Sequence, residues 1–394
     1  MGIAAKGEIY PVGGPGRFIL GLAESIAPSL IEEYAGRVTL ICIDPPFGTG
    51  DSFSVKLPGD RKKLSIPIYS DDISGDEYLA LMRRVLEACR ELLASDGSIY
   101  VHIDYRMSAR LRLMMDEIFG ESNFQNEIIW TYKSGGRALR HYSRKHDTIF
   151  FYRKSPAVYF NINAVGVPRG PQKRNNMKRT VDETGRVCFS IRSGGKTYTY
   201  YEDTPIFPSD VWDDIEHMHQ RDPERTGFAT QKPSALLRRM ILASSREGDT
   251  VADFFSGSGT TASTACALGR GYIACDSSPV AMGMLRRRLI ESCAEGSFIA
   301  SSHEMRIEYS TMDGGDIEAS FESENSNGRT ELTLRSMSSS FGVSFAALGH
   351  IDEEGFFRAE NYTLVPVAGA RLSAANGSVL LLSDNAGNTR FFKV

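Results

Sequence analysis

The chain has no uninterrupted run of about 18 apolar residues, which excludes an ordinary membrane-spanning helix. Residues 1–17 are rich in glycine and proline and lack the apolar core that a secretory leader needs. Cysteine is sparse: Cys42, Cys89, Cys188, Cys266, Cys275 and Cys293 are scattered through 394 residues, and no two form a Cys-x-x-Cys pair. Spaced so, they read neither as a disulfide frame nor as a thiolate zinc site. Most of the six sit in apolar runs, as buried reduced thiols of a cytoplasmic protein do. His217 and His219 lie near Asp213 and Asp214 without helical His spacing or a nearby cysteine, so a polar loop is expected there and no metal. No internal repeat is evident.

What is present is a hydrophobic fraction of 41%, enough for a full core, over a length that suits two domains. The net charge is only −4, but it is unevenly spread. Residues 133–196 hold 15 Lys or Arg against Asp147, Asp182 and Glu183, a local +12, which leaves −16 for the rest. A basic stretch in an acidic chain is the footprint expected where a phosphate backbone lies along one face. Lys133, Arg137, Arg140, Arg144, Lys145, Arg169, Lys173, Arg174, Lys178 and Arg179 are the candidate phosphate contacts, some of which could read guanine edges. Tyr142, Tyr198, Tyr200 and Tyr201 could stack on bases, although ordinary packing explains any one of them.

Along the chain, residues 38–43 form a continuous apolar, β-branched run halted by Pro45 and Pro46, the mark of a buried strand. Ser74-x-x-Glu77 suggests a capping box before apolar positions at helical spacing, ended by Gly97. Strands are expected at 98–103, 128–132, 148–152, 251–255 and 272–275, and helices at 107–118, from Pro233 to near Gly248, at 260–268 and at 278–293. Alternating strands and helices predict an α/β fold, a mostly parallel sheet covered on both faces. Residues 154–210 break the pattern and read as an insertion of loops and hairpins. The expected division is 1–300 for the main domain and 301–394 for a small β-rich C-terminal domain.

Two motifs carry chemistry. In the first, Asp253, Phe254, Phe255, Ser256, Gly257, Ser258, Gly259, Thr260 and Thr261 follow a strand and open a helix. The glycines let backbone approach a ligand, and the helix N-terminus favours a carboxylate or phosphate. Asp276, at the end of the next strand, is placed for ribose hydroxyls. Gly257-x-Gly259-x-x-Ala262 with an acid 19 residues on equally fits a dinucleotide fingerprint. Asp253 tips the balance, because a carboxylate there suits the ammonium of S-adenosylmethionine and repels a pyrophosphate.

The second motif is Asp44-Pro45-Pro46-Phe47. An exocyclic base amine is a poor nucleophile, its lone pair being delocalised into the ring. Asp44 and the Pro45 carbonyl can each accept one amine N–H, favouring a pyramidal nitrogen whose lone pair is free to meet a methyl group. The double proline aims that carbonyl rigidly, and Phe47 offers a π face to a flipped base. Alone, Asp-Pro-Pro is as readily a proline-terminated strand with a turn residue.

Together these residues resemble a known family, the amino-methyltransferases of DNA in the β arrangement, where the catalytic motif precedes the cofactor loop. Residues 97–104, 126–130, 145–152, Asp210-Val211-Trp212 and Thr230-Gln231-Lys232-Pro233 are similar to further family segments. The resemblance covers roughly residues 35 to 295. It implies a Rossmann-like methyltransferase sheet with circularly permuted motif order, S-adenosylmethionine as cofactor, and a target-recognition insertion at 154–210. By the same resemblance Gln231, Lys232 and Pro233 help bind the methionine end of the cofactor. Duplex DNA is the implied partner. A homodimer and a cognate restriction endonuclease are left open. Phe47 stands where many relatives carry Tyr, and the leading Asp44 favours adenine N6 over cytosine N4. Four alternatives remain open: a cytosine-N4 enzyme, a methyltransferase of RNA or protein glutamine, a catalytically silent DNA-binding relative, and a nicotinamide-dependent oxidoreductase.

Overall fold

The computed structural model describes residues 4–11, 15–47, 52–56, 65–70, 75–133, 138–168, 177–219, 221–228, 230–291, 304–309, 315–364, 366–375 and 377–394. Ser74, Cys293, Arg137, Arg169, Lys173 and Arg174, singled out above, lie outside these residues.

At the centre six parallel strands run in the spatial order Leu93–Ile103, Val38–Ile43, Thr250–Asp253, Gly271–Asp276, Gly16–Leu20 and Met305–Tyr309. Side chains alternate between two cores, as strand geometry requires. Leu40, Cys42, Tyr100, Val251, Tyr272 and Ala274 face one, and Ile41, Ile43, Ile99, Val101, Ala252 and Ile273 face the other. Helix Gly75–Leu92 covers the second core with Tyr78, Met82, Val85, Leu86 and Cys89. Helices Ser234–Ser244 and Pro279–Glu291 cover the first with Leu237, Met240, Ile241, Leu285 and Leu289. Both faces are sealed, which is why these strands read as unbroken apolar runs.

Beyond Leu93–Ile103 the sheet turns antiparallel through His146–Arg153 and Phe124–Thr131, and Val211–Trp212 closes that edge. The insertion folds into a three-stranded antiparallel sheet of Lys178–Val181, Val187–Ser193 and Lys196–Tyr201, with a two-stranded ribbon of Val167–Pro168 and Pro205–Ile206. On the other side, Gly7–Tyr10 pairs antiparallel with Met305–Tyr309 and parallel with Phe356–Thr363. Val343–Ile351, Val379–Asp384 and Thr389–Lys393 follow, fourteen strands in all among the described residues. The C-terminal part is thus β-rich, and one sheet holds strands from both sides of position 300. The first core likewise runs from Tyr10 and Phe18 to Leu381 and Phe391.

A buried ion pair fastens this junction. Arg286 donates to Glu8, and the hydroxyls of Tyr10 and Tyr309 donate to the same carboxylate. The Gly- and Pro-rich start of the sequence therefore holds two strands that local pattern did not reveal. The helices Ala23–Ser29 and Ile31–Tyr34 were unanticipated as well.

Candidate active site

Adjacent parallel strands end side by side. Val38–Ile43 delivers Asp44 and Thr250–Asp253 ends in Asp253, with Leu40 opposite Val251 and Ile41 opposite Ala252. Both carboxylates line one cavity of about 300 Å³ at the carboxyl edge of the sheet, where open α/β sheets place their ligands.

The Gly-rich turn wraps one end of this cavity. Gly257 and Gly259 hold φ of 51° and 75°, conformations that side chains disfavour. A Cβ on Gly259 would also stand 2.6 Å from Leu285 Cδ1, so the turn packs directly on helix Pro279–Glu291. Arg288 of that helix donates to the Ser258 carbonyl at 3.0 Å and to Thr260 Oγ1 at 3.1 Å. Asp276 accepts from the Gly257 N–H at 2.7 Å and from the Ser278 N–H at 2.9 Å. Burial pushes its carboxyl up, against these backbone donors. A carboxylate has about four acceptor sites, so room remains for hydroxyl donors.

Asp253 is buried, accepts the Phe255 N–H at 3.0 Å, and has no ion-pair partner among the described residues. Burial therefore dominates, and its carboxyl is pushed up to about 7. Ser256 Oγ, also on the cavity wall, is buried without a hydrogen-bond partner among the described residues. A buried acid without a cation, beside an unpaired hydroxyl, is a site that a bound ammonium would complete.

Asp44 has the opposite environment. Burial would raise its carboxyl, but the Lys232 ammonium, and then His102, hold it down at about 2. Lys232 Nζ donates to Oδ2. His102 Nδ1 lies 2.9 Å from Oδ1 as an ion-pair contact, out of line for a hydrogen bond. The other ring nitrogen of His102 is 3.2 Å from Asp147 Oδ2. Phe47 meets the His102 ring edge-on at 5.4 Å, with Lys232 Nζ 5.4 Å from the Phe47 centroid.

Of the residues expected from sequence, Asp44, Pro46, Gln231, Lys232, Asp253, Phe254, Phe255, Ser256, Gly257, Thr260, Thr261 and Asp276 share this cavity wall. Pro45 and Phe47 belong to the same loop. Gly259 supports the turn from behind, and Pro233 caps helix Ser234–Ser244. Gln231 has its amide engaged locally: Oε1 accepts from the Thr226 N–H and hydroxyl, each at 2.8 Å, and Nε2 donates to the Glu224 carbonyl at 2.8 Å. Lys232 turns to Asp44 rather than to the Gly-rich end. Lys133, Arg140, Arg144, Lys178 and Arg179 are exposed and Lys145 is half-buried. Arg144 lies 4.0 Å over the Tyr105 ring, just past the strand that carries His102. Leu139 and Tyr142 on the same loop are each 96% exposed.

Sequence reasoning passed over His102 and Asp147 as site residues, although both lay in segments that carried the resemblance. It also missed Leu22, Ala23, Glu24, Phe228 and Ser277 on the wall. Among the described residues no cluster of three or more His, Cys, Asp or Glu could hold a metal. His217 instead stacks on Trp130, with ring centroids 6.2 Å apart. No helix of the described residues is long and apolar enough to cross a membrane.

Residues 38–285 match the family described as DNA methylase, the N6 and N4 group. The chain belongs to that family: it is a DNA amino-methyltransferase of the N6/N4 type, dependent on S-adenosylmethionine. It is 28% identical to the type II methyltransferase M.EcaI of Enterobacter cloacae over 68% of each chain. It is 29% identical to the type II methyltransferase M.HpaI of Haemophilus parainfluenzae, over 64% of this chain and 68% of that one. Identity to the DNA adenine methyltransferase YhdJ of Escherichia coli (strain K12) is 29%, over 64% of this chain and 76% of that one.

Proposed function

We propose that this chain methylates the N6 amine of an adenine flipped out of duplex DNA, with Asp44-Pro45-Pro46-Phe47 as the catalytic loop. The observation that carries the reading is the ionised Asp44 on the wall of the cavity that also holds Asp253 and the Gly-rich turn. Asp253 and Ser256 would hold the ammonium end of S-adenosylmethionine and Asp276 its ribose, with Thr260 and Thr261 at the turn between them. The cofactor, once bound, supplies an electrophilic methyl group on a sulfonium.

The protein's part is to present the nitrogen. Asp44 accepts one N–H and the Pro45 carbonyl the other, so the nitrogen pyramidalises and its lone pair is freed. Lys232 and then His102 hold the Asp44 carboxyl down at about 2 against its burial, so it stands ionised before the base arrives. Asp44 therefore acts by accepting and orienting the amine, not by removing its proton beforehand. As the carbon–nitrogen bond forms the sulfur–methyl bond breaks, S-adenosylhomocysteine leaves, and the cationic nitrogen then gives one proton to solvent. Phe47 stacks on the extruded ring. The basic loops contact phosphates, and the exposed Leu139 and Tyr142, set among Arg140, Arg144 and Lys145, face the duplex. Adenine is favoured by the leading Asp of the loop and is the base in the name of the Escherichia coli relative. The enzyme works in the cytoplasm on this reading, and a cognate restriction endonuclease and a homodimer are partners to be tested by pull-down and ultracentrifugation.

Methylome sequencing of a host expressing the chain, against an empty-vector control, tests the reading. N6-methyladenine at one sequence is expected, and N4-methylcytosine would move the assignment to the other amine. Asp44→Ala should abolish the mark, by about 10³-fold or more, while S-adenosylmethionine still binds. Full activity in that variant would overturn the mechanism.

A further inference from the structure

Both oxygens of Asp44 are covered, and by groups of unlike mobility. Lys232 reaches Oδ2 at the end of a flexible four-carbon stem, with the Thr230 carbonyl, 3.5 Å away, as its other polar contact among the described residues. His102 is fixed on every side. Its side chain is 6% exposed, Phe47 and Trp130 meet its ring edge-on at 5.4 and 5.8 Å, and Asp147 stands 3.2 Å from Nε2. Asp147 is itself held, accepting the Tyr132 hydroxyl at 3.1 Å. The sheet builds this chain of contacts: His102 lies opposite Ile149 across one strand pair, and Asp147 opposite Trp130 across the next.

A target amine needs an acceptor site on Asp44, and the partner on a flexible stem yields one more readily than the clamped ring does. We propose that His102, clamped by Asp147, is the positioning residue that keeps Oδ1 of Asp44 and turns Oδ2 toward the target amine, while Lys232 fills the amine's place until the base displaces it. The inference rests on Asp44 being the residue that accepts the amine. The charge pattern agrees with it. Burial and the Lys232 ammonium oppose a proton on His102, but Asp44 and Asp147 together prevail and raise its affinity for one. The groups facing the ring are Asp44, Lys232 and Asp147, with Tyr132 behind Asp147 and His217 behind Trp130. A charged ring holds its positive charge between both carboxylates. A neutral ring presents a lone pair to one of them.

The test is steady-state and single-turnover methylation of duplex DNA by His102→Ala, His102→Asn and Asp147→Asn, with Asp44→Ala as the control. His102→Ala should lower kcat by about 10²-fold, with the KM for DNA and the cofactor Kd within about threefold of wild type. His102→Asn, whose amide keeps a polar group beside Oδ1 where Nδ1 stands, should recover about tenfold. Asp147→Asn removes one of the two acids that keep the ring charged. Its kcat should therefore fall with rising pH at a lower pH than wild type's does, the midpoint of the profile shifting down. Should His102→Ala not fold, the Asp147→Asn profile decides alone. Wild-type kcat in His102→Ala, a loss of activity matched by loss of cofactor binding, or an unshifted Asp147→Asn profile would each overturn the inference. A fully active Asp44→Ala would instead overturn the mechanism beneath it.

Discussion

Asp44 and Asp253 end neighbouring strands and share one cavity, yet their carboxyls are driven in opposite directions. Asp44 is held down at about 2 by Lys232 and His102, whereas Asp253 is pushed up to about 7 by burial with no cation beside it among the described residues. The first end of the cavity is already preorganised around a negative charge. The second holds a buried acid that a positive ligand would complete, and the folded protein bears the cost of burying it. Polar groups at a site can thus be prepared in two ways, by satisfying them in advance or by leaving them to be satisfied by the ligand.

The largest expected consequence is that the two acids fail differently. Asp44→Asn should cut single-turnover methylation by about 10³-fold and leave the calorimetric Kd for S-adenosylmethionine within about threefold. Asp253→Asn should do the reverse, weakening the cofactor by about 10- to 100-fold while saturating cofactor restores most of kcat. Equal losses of binding in both variants would erase the contrast. Next in size is stability. The Asp253 carboxyl is raised in the fold, so its contribution to stability is full below the unfolded value near 4 and is lost as pH rises through about 7. Chemical denaturation of the cofactor-free protein at pH 8 should therefore find Asp253→Asn more stable than wild type, by up to ~4 kcal/mol. With the cofactor's ammonium on Asp253 as proposed, the same group would make cofactor binding pH-dependent. Affinity should rise about tenfold per pH unit below 7 and level off above it, and Asp253→Asn should flatten the curve. The smallest effect belongs to Lys232→Met, which removes the foremost cation holding Asp44 down. Its kcat should stay within about tenfold of wild type at pH 8 and fall further at acid pH, as the Asp44 carboxyl drifts back toward its ordinary range.

Both acids were legible in the sequence because each follows a short apolar run ended by a turn signal, a local pattern with a local cause. The order of the two motifs and the basic stretch between them gave the function class. His102 was not legible as a site residue. It sits inside a strand, and its partners come from residue 44 and residue 147, brought together only by the pairing of three strands. Glu8 was hidden for the same reason, since an acid in a Gly- and Pro-rich stretch gives no sign that Arg286 will bury it. Position 300 was a sensible place to expect a division, because helical periodicity fades there. The pairing of Gly7–Tyr10 with Met305–Tyr309 and Phe356–Thr363 spans about three hundred residues, and local composition carries no trace of it.

That pairing has a consequence for the order in which the molecule can be assembled. The strand Gly7–Tyr10 leaves the ribosome before its two partners, which are made roughly 300 and 350 residues later, about 15 to 70 s at ordinary synthesis rates. Until then the Gly16–Leu20 edge has no Met305–Tyr309 to cover it, and Glu8 stays hydrated without Arg286. The methyl-transfer half therefore emerges with an open seam. Contacts of such long separation form late and slowly, so the nascent chain passes through a window in which chaperones and proteases compete for it before the last strands arrive.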